Sequence, residues 1–256
     1  MRPELFWLKY TRYTGVMAQK LDPKYFDVTL RKVIDLGNDT RHFELAFDAG
    51  QATSFIPGQF AVVICPKEGK LIRRAYSIAS APRVTDRLEL IIKLVQGGAV
   101  TPWLWSLKEG DRLRVQVPLG KFILPEAVDF DIVFVAVGTG IAPFRSMIQQ
   151  MLPAGFSRKI WLLFGTRYDG QIPYHQEFLD LAAKYPQLTY IPTISRPGPG
   201  WKGEVGYVQT KIEKFFAGPA GKRIYICGLN EMIQAVQEAA LKLGYRKEQV
   251  LYEKYD

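Results

Sequence analysis

The chain has 256 residues, enough for two domains whose cores would bury roughly 73% of the unfolded surface, so it needs no disulfide staples. Its 48% hydrophobic content, with 15 Phe, 13 Tyr and 5 Trp, excludes disorder; two cysteines and two histidines exclude a Cys₄ zinc site, an iron–sulfur cluster or a dithiol motif within it. The formal charge of +9, from 34 Lys and Arg against 25 Asp and Glu, favours encounter with acidic partners and says nothing about fold.

Residues 1–24 form a basic aromatic lead in which Phe6, Trp7, Tyr10 and Tyr13 alternate with Lys9 and Arg12. Glu4, Lys9 and Arg12 interrupt any signal-peptide core. No apolar run approaches the ~20 residues a bilayer requires. The expectation is a cytoplasmic protein without integral membrane association. The lead either packs along the body of the protein or touches a partner or membrane surface, and the sequence leaves both open.

Residues 25–126 read as a first domain. YFDVTLRKVIDL, RHFELAF, QFAVVICPK, RRAYSIAS, RLELIIKLV and DRLRVQVPLGKFIL are rich in β-branched and aromatic residues and are punctuated by Gly, Pro, Asn and Asp. Short strands at this spacing predict a small antiparallel barrel with one short helix starting at Thr101. Beyond LPEAVDFD the rhythm changes, and residues 127–256 read as a second domain. DIVFVAVG, KIWLLFG, LTYIPTIS, RIYICG and VLYEKYD are strand-like. PFRSMIQQML, HQEFLDLAAKY and EMIQAVQEAALKLG alternate with them as helices. Apolar runs alternating with helices predict a parallel sheet covered on both faces.

Five constellations could carry chemistry. In Arg74-Ala75-Tyr76-Ser77, strand alternation puts Arg74 and Tyr76 on one face, where a guanidinium can grip a phosphate and a ring can lie against a flat ligand. Ser77 joins them only if the strand ends or twists there. Alone, this pattern is also ordinary barrel surface. Gly97-Gly98-Ala99-Val100-Thr101-Pro102 places a glycine turn before a helix, with Thr101 as the expected N-cap and Pro102 at the first helical position. Such an N-terminus suits a pyrophosphate, or is simply a capped connection. Gly138-Thr139-Gly140-Ile141-Ala142-Pro143 follows an apolar strand and opens a helix, the context of a dinucleotide turn, although Pro143 stands where a third glycine would complete the fingerprint.

Cys227-Gly228 ends a strand at the same carboxyl edge, whereas Cys65 reads as core. Ser195-Arg196 ends another strand, Arg167 ends its neighbour, and Tyr207 follows twelve residues after Ser195. Two arginines and a hydroxyl with no adjoining acid suit an extra ribose phosphate, or are solvated loop charges.

In this order and spacing, R-x-Y-S, Gly-Gly-x-x-Thr, G-T-G-x-A-P and Cys-Gly resemble the ferredoxin–NADP⁺ reductase family, over about Tyr25 to Asp256. The resemblance implies an FAD-binding Greek-key barrel followed by a Rossmann-like NADP-binding domain. It implies Arg74 on the FAD pyrophosphate, Tyr76 on the isoalloxazine, and Ser77 near its reducible nitrogen. Gly98 and Thr101 would form the pyrophosphate turn, and Thr139 with Gly140 the nicotinamide-nucleotide turn. Cys227 would lie beside the nicotinamide. Glu253-Lys254-Tyr255 looks like the family's terminal Glu-x-Tyr, whose acid is implicated in proton supply and whose aromatic covers the flavin; here Asp256 follows it. Val205 stands where the plant-type pattern has a lysine, with Lys202 nearby as a substitute. Trp201 before GEVGYV is instead similar to NADH-using oxygenase reductases.

The expected activity is hydride exchange between NADP(H) and FAD, and single-electron exchange with a small acidic ferredoxin or flavodoxin. Lys70, Arg73 and Lys121 are surface candidates for meeting it. The open alternatives are an NADH-dependent oxygenase reductase component and a flavin subunit of a larger complex. No nucleic-acid motif accompanies the basic charge, so no nucleic-acid partner is expected. No metal site is expected either.

Overall fold

The computed structural model describes residues 22–84 and 86–255. The basic aromatic lead up to residue 21 and the terminal Asp256 lie outside the described residues. The chain forms two compact units. The first comprises residues 22–35, 39–126 and 142–156, the second residues 36–38, 127–141 and 157–255.

The first unit is built on β1 (Lys24–Gly37), β2 (Thr40–Phe47), β3 (Phe60–Lys67), β4 (Lys70–Ser77), β5 (Arg87–Lys93), the short helix α1 (Thr101–Ser106) and β6 (Arg112–Leu119). The strands form one sheet in the order β4-β3-β6-β1-β2-β5. Alternation decides which side is core. Val28 and Leu30, Phe43 and Leu45, Val63 and Cys65, Leu88 and Leu90, and Leu113 and Val115 occupy every second position and are all buried together. The sheet curls so that its two edge strands meet. Ile78 bridges Leu90, and the Ala79 N–H donates to the Glu89 carbonyl at 2.8 Å.

Helix α2 (Ile141–Met151) belongs to this unit from residue 142 onward. It is fastened to the segment just after β4. Ser146 Oγ donates to the Ser80 carbonyl at 2.6 Å, and Arg145 Nη1 donates to the Ala79 carbonyl at 2.9 Å and to Glu89 Oε2 at 2.6 Å.

The second unit contains β7 (Asp131–Val137), β8 (Ile160–Thr166), α3 (His175–Lys184), β9 (Leu188–Ile194), β10 (Glu204–Val205), α4 (Gln209–Phe215), β11 (Lys222–Leu229), α5 (Asn230–Lys242) and β12 (Val250–Tyr255). The sheet is parallel, in the order β10-β9-β8-β7-β11-β12. Val133, Val135, Leu163, Ile224 and Ile226 pack under α4 and α5. On the other face, Phe178 of α3 meets Tyr190 of β9. Burial on both faces is why the run DIVFVAV is continuously apolar.

Sequence periodicity did not reveal β10 or α4, because two residues carry no period and seven carry barely two turns. Among the described residues, no helix is long and apolar enough to cross a membrane.

Candidate functional site

In the first unit, β4 is an edge strand whose outer rim meets β5 just past its end, at the Ile78 bridge. Its register sets Tyr76 opposite Ala61 and Arg74 opposite Val63, both inward residues of β3. Arg74 and Tyr76 therefore share a face, and Ala75, opposite Val62, takes the other. Arg74 is exposed, with Nη1 donating to the Arg73 carbonyl at 2.9 Å. The Tyr76 ring is half-buried against the barrel core, and burial pushes its phenol up to about 12. Ser77 is the last residue of the strand and is buried. The next residue, Ile78, bridges Leu90 of β5.

The glycine turn differs from the sequence reading in one respect. Thr101 is not the N-cap of α1: Val100 holds that position, with no side-chain cap, so Thr101 and Pro102 are the first two helical residues. The Thr101 hydroxyl instead turns back on the loop. It accepts the Val95 N–H at 2.9 Å and donates to the Val95 carbonyl at 3.3 Å, two bonds where a cap would make one. Gly97 has φ +71°, a conformation that favours glycine, and Gly98 donates its N–H to the Val95 carbonyl at 2.9 Å. Thr101 thus pins the glycine turn from inside.

In the second unit, Gly138–Gly140 forms a single 3₁₀ turn between β7 and α2, and Gly138 has φ +55°. A Cβ at Gly140 would overlap the Cys227 carbonyl, so glycine there lets the turn lie directly on the end of β11. Thr139 is half-buried at the tip of this turn. Pro143 is the third residue of α2, where a missing N–H costs nothing. Gly228 has φ +149°, and a Cβ there would lie 2.7 Å from Val137 Cγ2.

Cys227 is fully buried, opposite Ala136 on one side and Glu253 on the other. Burial pushes its thiol well above the ordinary range, and the Glu253 charge adds to this; a hydrogen bond with Tyr255 opposes both. The thiol is therefore neutral, a polarisable contact rather than a nucleophile. Tyr255 lies opposite Leu229 at the end of β12, with its hydroxyl buried.

The backbones of the two arginines meet. β8 and β9 are adjacent, and Arg167 and Arg196 follow their ends, both exposed. The Arg196 N–H donates to the Arg167 carbonyl at 2.9 Å, and the Ser195 N–H to the Thr166 carbonyl at 3.1 Å. Gly206 donates its N–H to the Ile194 carbonyl at 2.8 Å, which brings the exposed Tyr207 to the same sheet edge. Val205 is exposed in β10, and Lys202 is exposed in the preceding loop.

Two groups here escaped sequence reasoning. Asp169 accepts the Gly198 N–H at 3.1 Å. Glu204 is clasped by Lys214 at 2.6 Å and Lys211 at 3.1 Å, which hold its carboxyl below the usual range. Lys211 and Lys214, the third and sixth residues of α4, were the available signal for Glu204.

The donor set fits a flat, phosphate-bearing cofactor on the first unit, because a guanidinium and a half-buried ring share one face of β4 and the same unit carries a pinned glycine turn. It fits a second nucleotide on the second unit, because a glycine turn, seated on the buried Cys227, and two arginines with bonded backbones follow strand ends at the carboxyl edge of a parallel sheet.

Comparison with known proteins agrees. Residues 27–123 match the oxidoreductase FAD-binding domain family and residues 134–238 the oxidoreductase NAD-binding domain family. The chain is 38% identical over 222 residues to ferredoxin–NADP reductase B of Sorangium cellulosum, covering 83% of this chain and 91% of that protein. It is 31% identical over 207 residues to DmpP, the reductase component of a Pseudomonas phenol 2-monooxygenase, covering 79% of this chain but 58% of that protein. Among solved structures, the Amycolatopsis cytochrome P450 reductase GcoB superposes with TM-score 0.83 at 26% identity, covering 91% of this chain and 70% of that one. A Neisseria gonorrhoeae ferredoxin–NADP⁺ reductase superposes with TM-score 0.79 at 22% identity, covering 90% and 98%.

Proposed function

The chain belongs to the ferredoxin–NADP⁺ reductase family of FAD- and NAD(P)-binding oxidoreductases, and from that premise we propose that it exchanges hydride with NADPH and single electrons with a small acidic ferredoxin or flavodoxin. Bound FAD supplies the conversion between a hydride and single electrons. The chain's own residues hold and orient. Arg74 grips the FAD pyrophosphate, with the Gly98 turn pinned by Thr101 beside it. The Tyr76 ring lies along the flavin, and Ser77 offers a hydroxyl at the end of β4. Thr139 and Gly140 cradle the nicotinamide nucleotide, and neutral Cys227 packs beside its ring. Glu253, in register with Cys227, sets its carboxylate where it can relay a proton at that edge, and Tyr255 keeps the thiol in place. Aligning two bound nucleotides is an orientation effect.

The observation that carries NADPH over NADH is the backbone-paired Arg167 and Arg196 with Tyr207 at one strand edge, since guanidinium forks match a phosphate. The test is anaerobic titration of the purified protein, followed by flavin absorbance. Bleaching by NADPH at far lower concentration than NADH is expected. Protein that cannot be loaded with FAD, or equal bleaching by both nucleotides, would sink the reading.

A second reading, an NADH-dependent oxygenase reductase component, is favoured by the similarity to DmpP and by Trp201 before GEVGYV. Both cysteines of these 256 residues are buried, so an iron–sulfur centre would have to come from outside these residues. Bleaching by NADH first would select this reading.

A further inference from the structure

The loop after β9 reads Arg196-Pro197-Gly198-Pro199-Gly200. Proline has no amide hydrogen, so Gly198 supplies the one backbone donor between Arg196 and Gly200. That N–H donates to Asp169 Oδ2 at 3.1 Å. A Cβ at Gly198 would itself lie 3.1 Å from the same oxygen and 3.5 Å from the other, so a side chain there would crowd the carboxylate on the amide.

Asp169 stands two residues after Arg167, and Gly198 two residues after Arg196. The Arg196 N–H donates to the Arg167 carbonyl at 2.9 Å. The two bonds make a two-rung strap between the ends of β8 and β9, and both arginines sit on its first rung. The rest of the loop closes on itself: the Trp201 N–H donates to the Gly198 carbonyl at 3.2 Å, and Trp201 Nε1 to the Glu204 carbonyl at 2.9 Å. Two guanidinium groups repel each other, so presenting them side by side to one dianion needs a fixed backbone.

We propose that Asp169 is a positioning residue for Arg167 and Arg196 and thereby sets the preference for a 2′-phosphorylated nicotinamide nucleotide over its unphosphorylated counterpart. This rests on the arginine pair being the phosphate site. Asp169 acts through the Gly198 amide and not on the nucleotide.

The experiment compares kcat and KM for NADPH and for NADH, using the FAD-loaded protein and an artificial acceptor. The variants are Asp169→Ala, Asp169→Asn, Gly198→Ala, the Asp169→Ala/Gly198→Ala pair and Arg196→Ala. Losing a charge-assisted hydrogen bond should lower the NADPH-to-NADH ratio of kcat/KM about tenfold in Asp169→Ala, through the NADPH KM, and Gly198→Ala, which crowds the carboxylate but keeps the amide, should lower it less. The pair should be no worse than Asp169→Ala alone, because without the carboxylate the added methyl has nothing to crowd. Asp169→Asn keeps an acceptor oxygen and should keep the ratio.

An unchanged ratio in Asp169→Ala, while Arg196→Ala lowers it, overturns the strap and leaves the arginine reading intact. Equal losses with both nucleotides also overturn it, since general loosening would do that. An unchanged ratio in Arg196→Ala removes the arginine reading and the strap with it.

Discussion

Arg74 is exposed on an edge strand, so removing it opens no cavity, and its cost falls on the ligand rather than on the fold. Charge-assisted bonds to a phosphate contribute ~1.5–3 kcal/mol. Arg74→Ala should therefore weaken FAD retention by roughly 10- to 100-fold while the melting temperature of the flavin-free protein stays put. The flavin-to-protein ratio after gel filtration reads this, and a full complement of tightly held FAD would refute the role.

His42 is the opposite case. It is 5% exposed, and burial, reinforced by the charges of Arg145 and Lys32 and opposed by Glu89, holds its imidazole down at about 4. With Glu44 and Glu89 it brings ligand atoms within 4.8 Å of one another, but Arg31, Arg87 and Arg145 already pair with those carboxylates. Because the folded value lies below the ordinary 6.5, the unfolded chain takes up the proton first. Stability is complete above pH ~6.5 and falls as pH drops to about 4, by about 3 kcal/mol in all. Urea unfolding at pH 7 and pH 4.5 should show this loss in the native protein and a smaller one in His42→Gln; identical losses would exclude His42 as the source.

At the scale of elements, helix α2 is the informative one. Its apolar pattern announces a helix after the Gly138–Gly140 turn, as observed. Its attachment is decided by polar contacts that no periodicity encodes. The Arg145 and Glu89 side chains are 11% and 13% exposed and 2.6 Å apart, and Arg145 also reaches the Ala79 carbonyl. Breaking a buried pair leaves a charge uncompensated, at a cost of ~3–5 kcal/mol. Arg145→Ala should lower unfolding stability by that order, and the double variant Arg145→Met/Glu89→Leu should recover most of it. Equal losses in both would mean that packing, not charge, holds the helix.

Helix α1 shows the same limit. Thr101 and Pro102 marked a helix start correctly to within one residue, but the hydroxyl's partner was Val95 rather than the helix. A threonine that can cap can equally close a neighbouring loop, and local pattern does not separate the two.

For the molecule as a whole, the formal charge of +9 acts on encounter rather than on chemistry. Steered association weakens as the Debye length shrinks from ~30 Å at 0.01 M to ~8 Å at 0.15 M ionic strength. With NADPH saturating, kcat/KM for an acidic ferredoxin or flavodoxin should fall steeply over that range, while the rate with a neutral quinone should change little. A flat salt profile with every acidic carrier would mean that the charge serves another partner. Residues 1–24, with their aromatic and basic alternation, would then be the first place to look, by deletion and pull-down.

Much about this protein is legible without coordinates. The change from alternating to continuously apolar strands marks a half-exposed antiparallel sheet and then a parallel one, because burial on one face or two is written directly into residue order. The alternation was legible too: Arg74 and Tyr76 share a face because alternation is local; Cys227 was read as the end of its strand, but β11 continues to Leu229 and pairing with β12 keeps the cysteine buried inside it. Tertiary structure alone decided the contacts between segments far apart in sequence. These are Gly140 lying on the Cys227 carbonyl, Asp169 strapped to Gly198, Glu204 clasped by two lysines, and α2 fastened by Arg145 and Ser146. The physical reason is one of range. Backbone periodicity and burial are set by nearest neighbours along the chain, whereas a side-chain hydrogen bond or a close backbone approach exists only once packing has brought its two partners together.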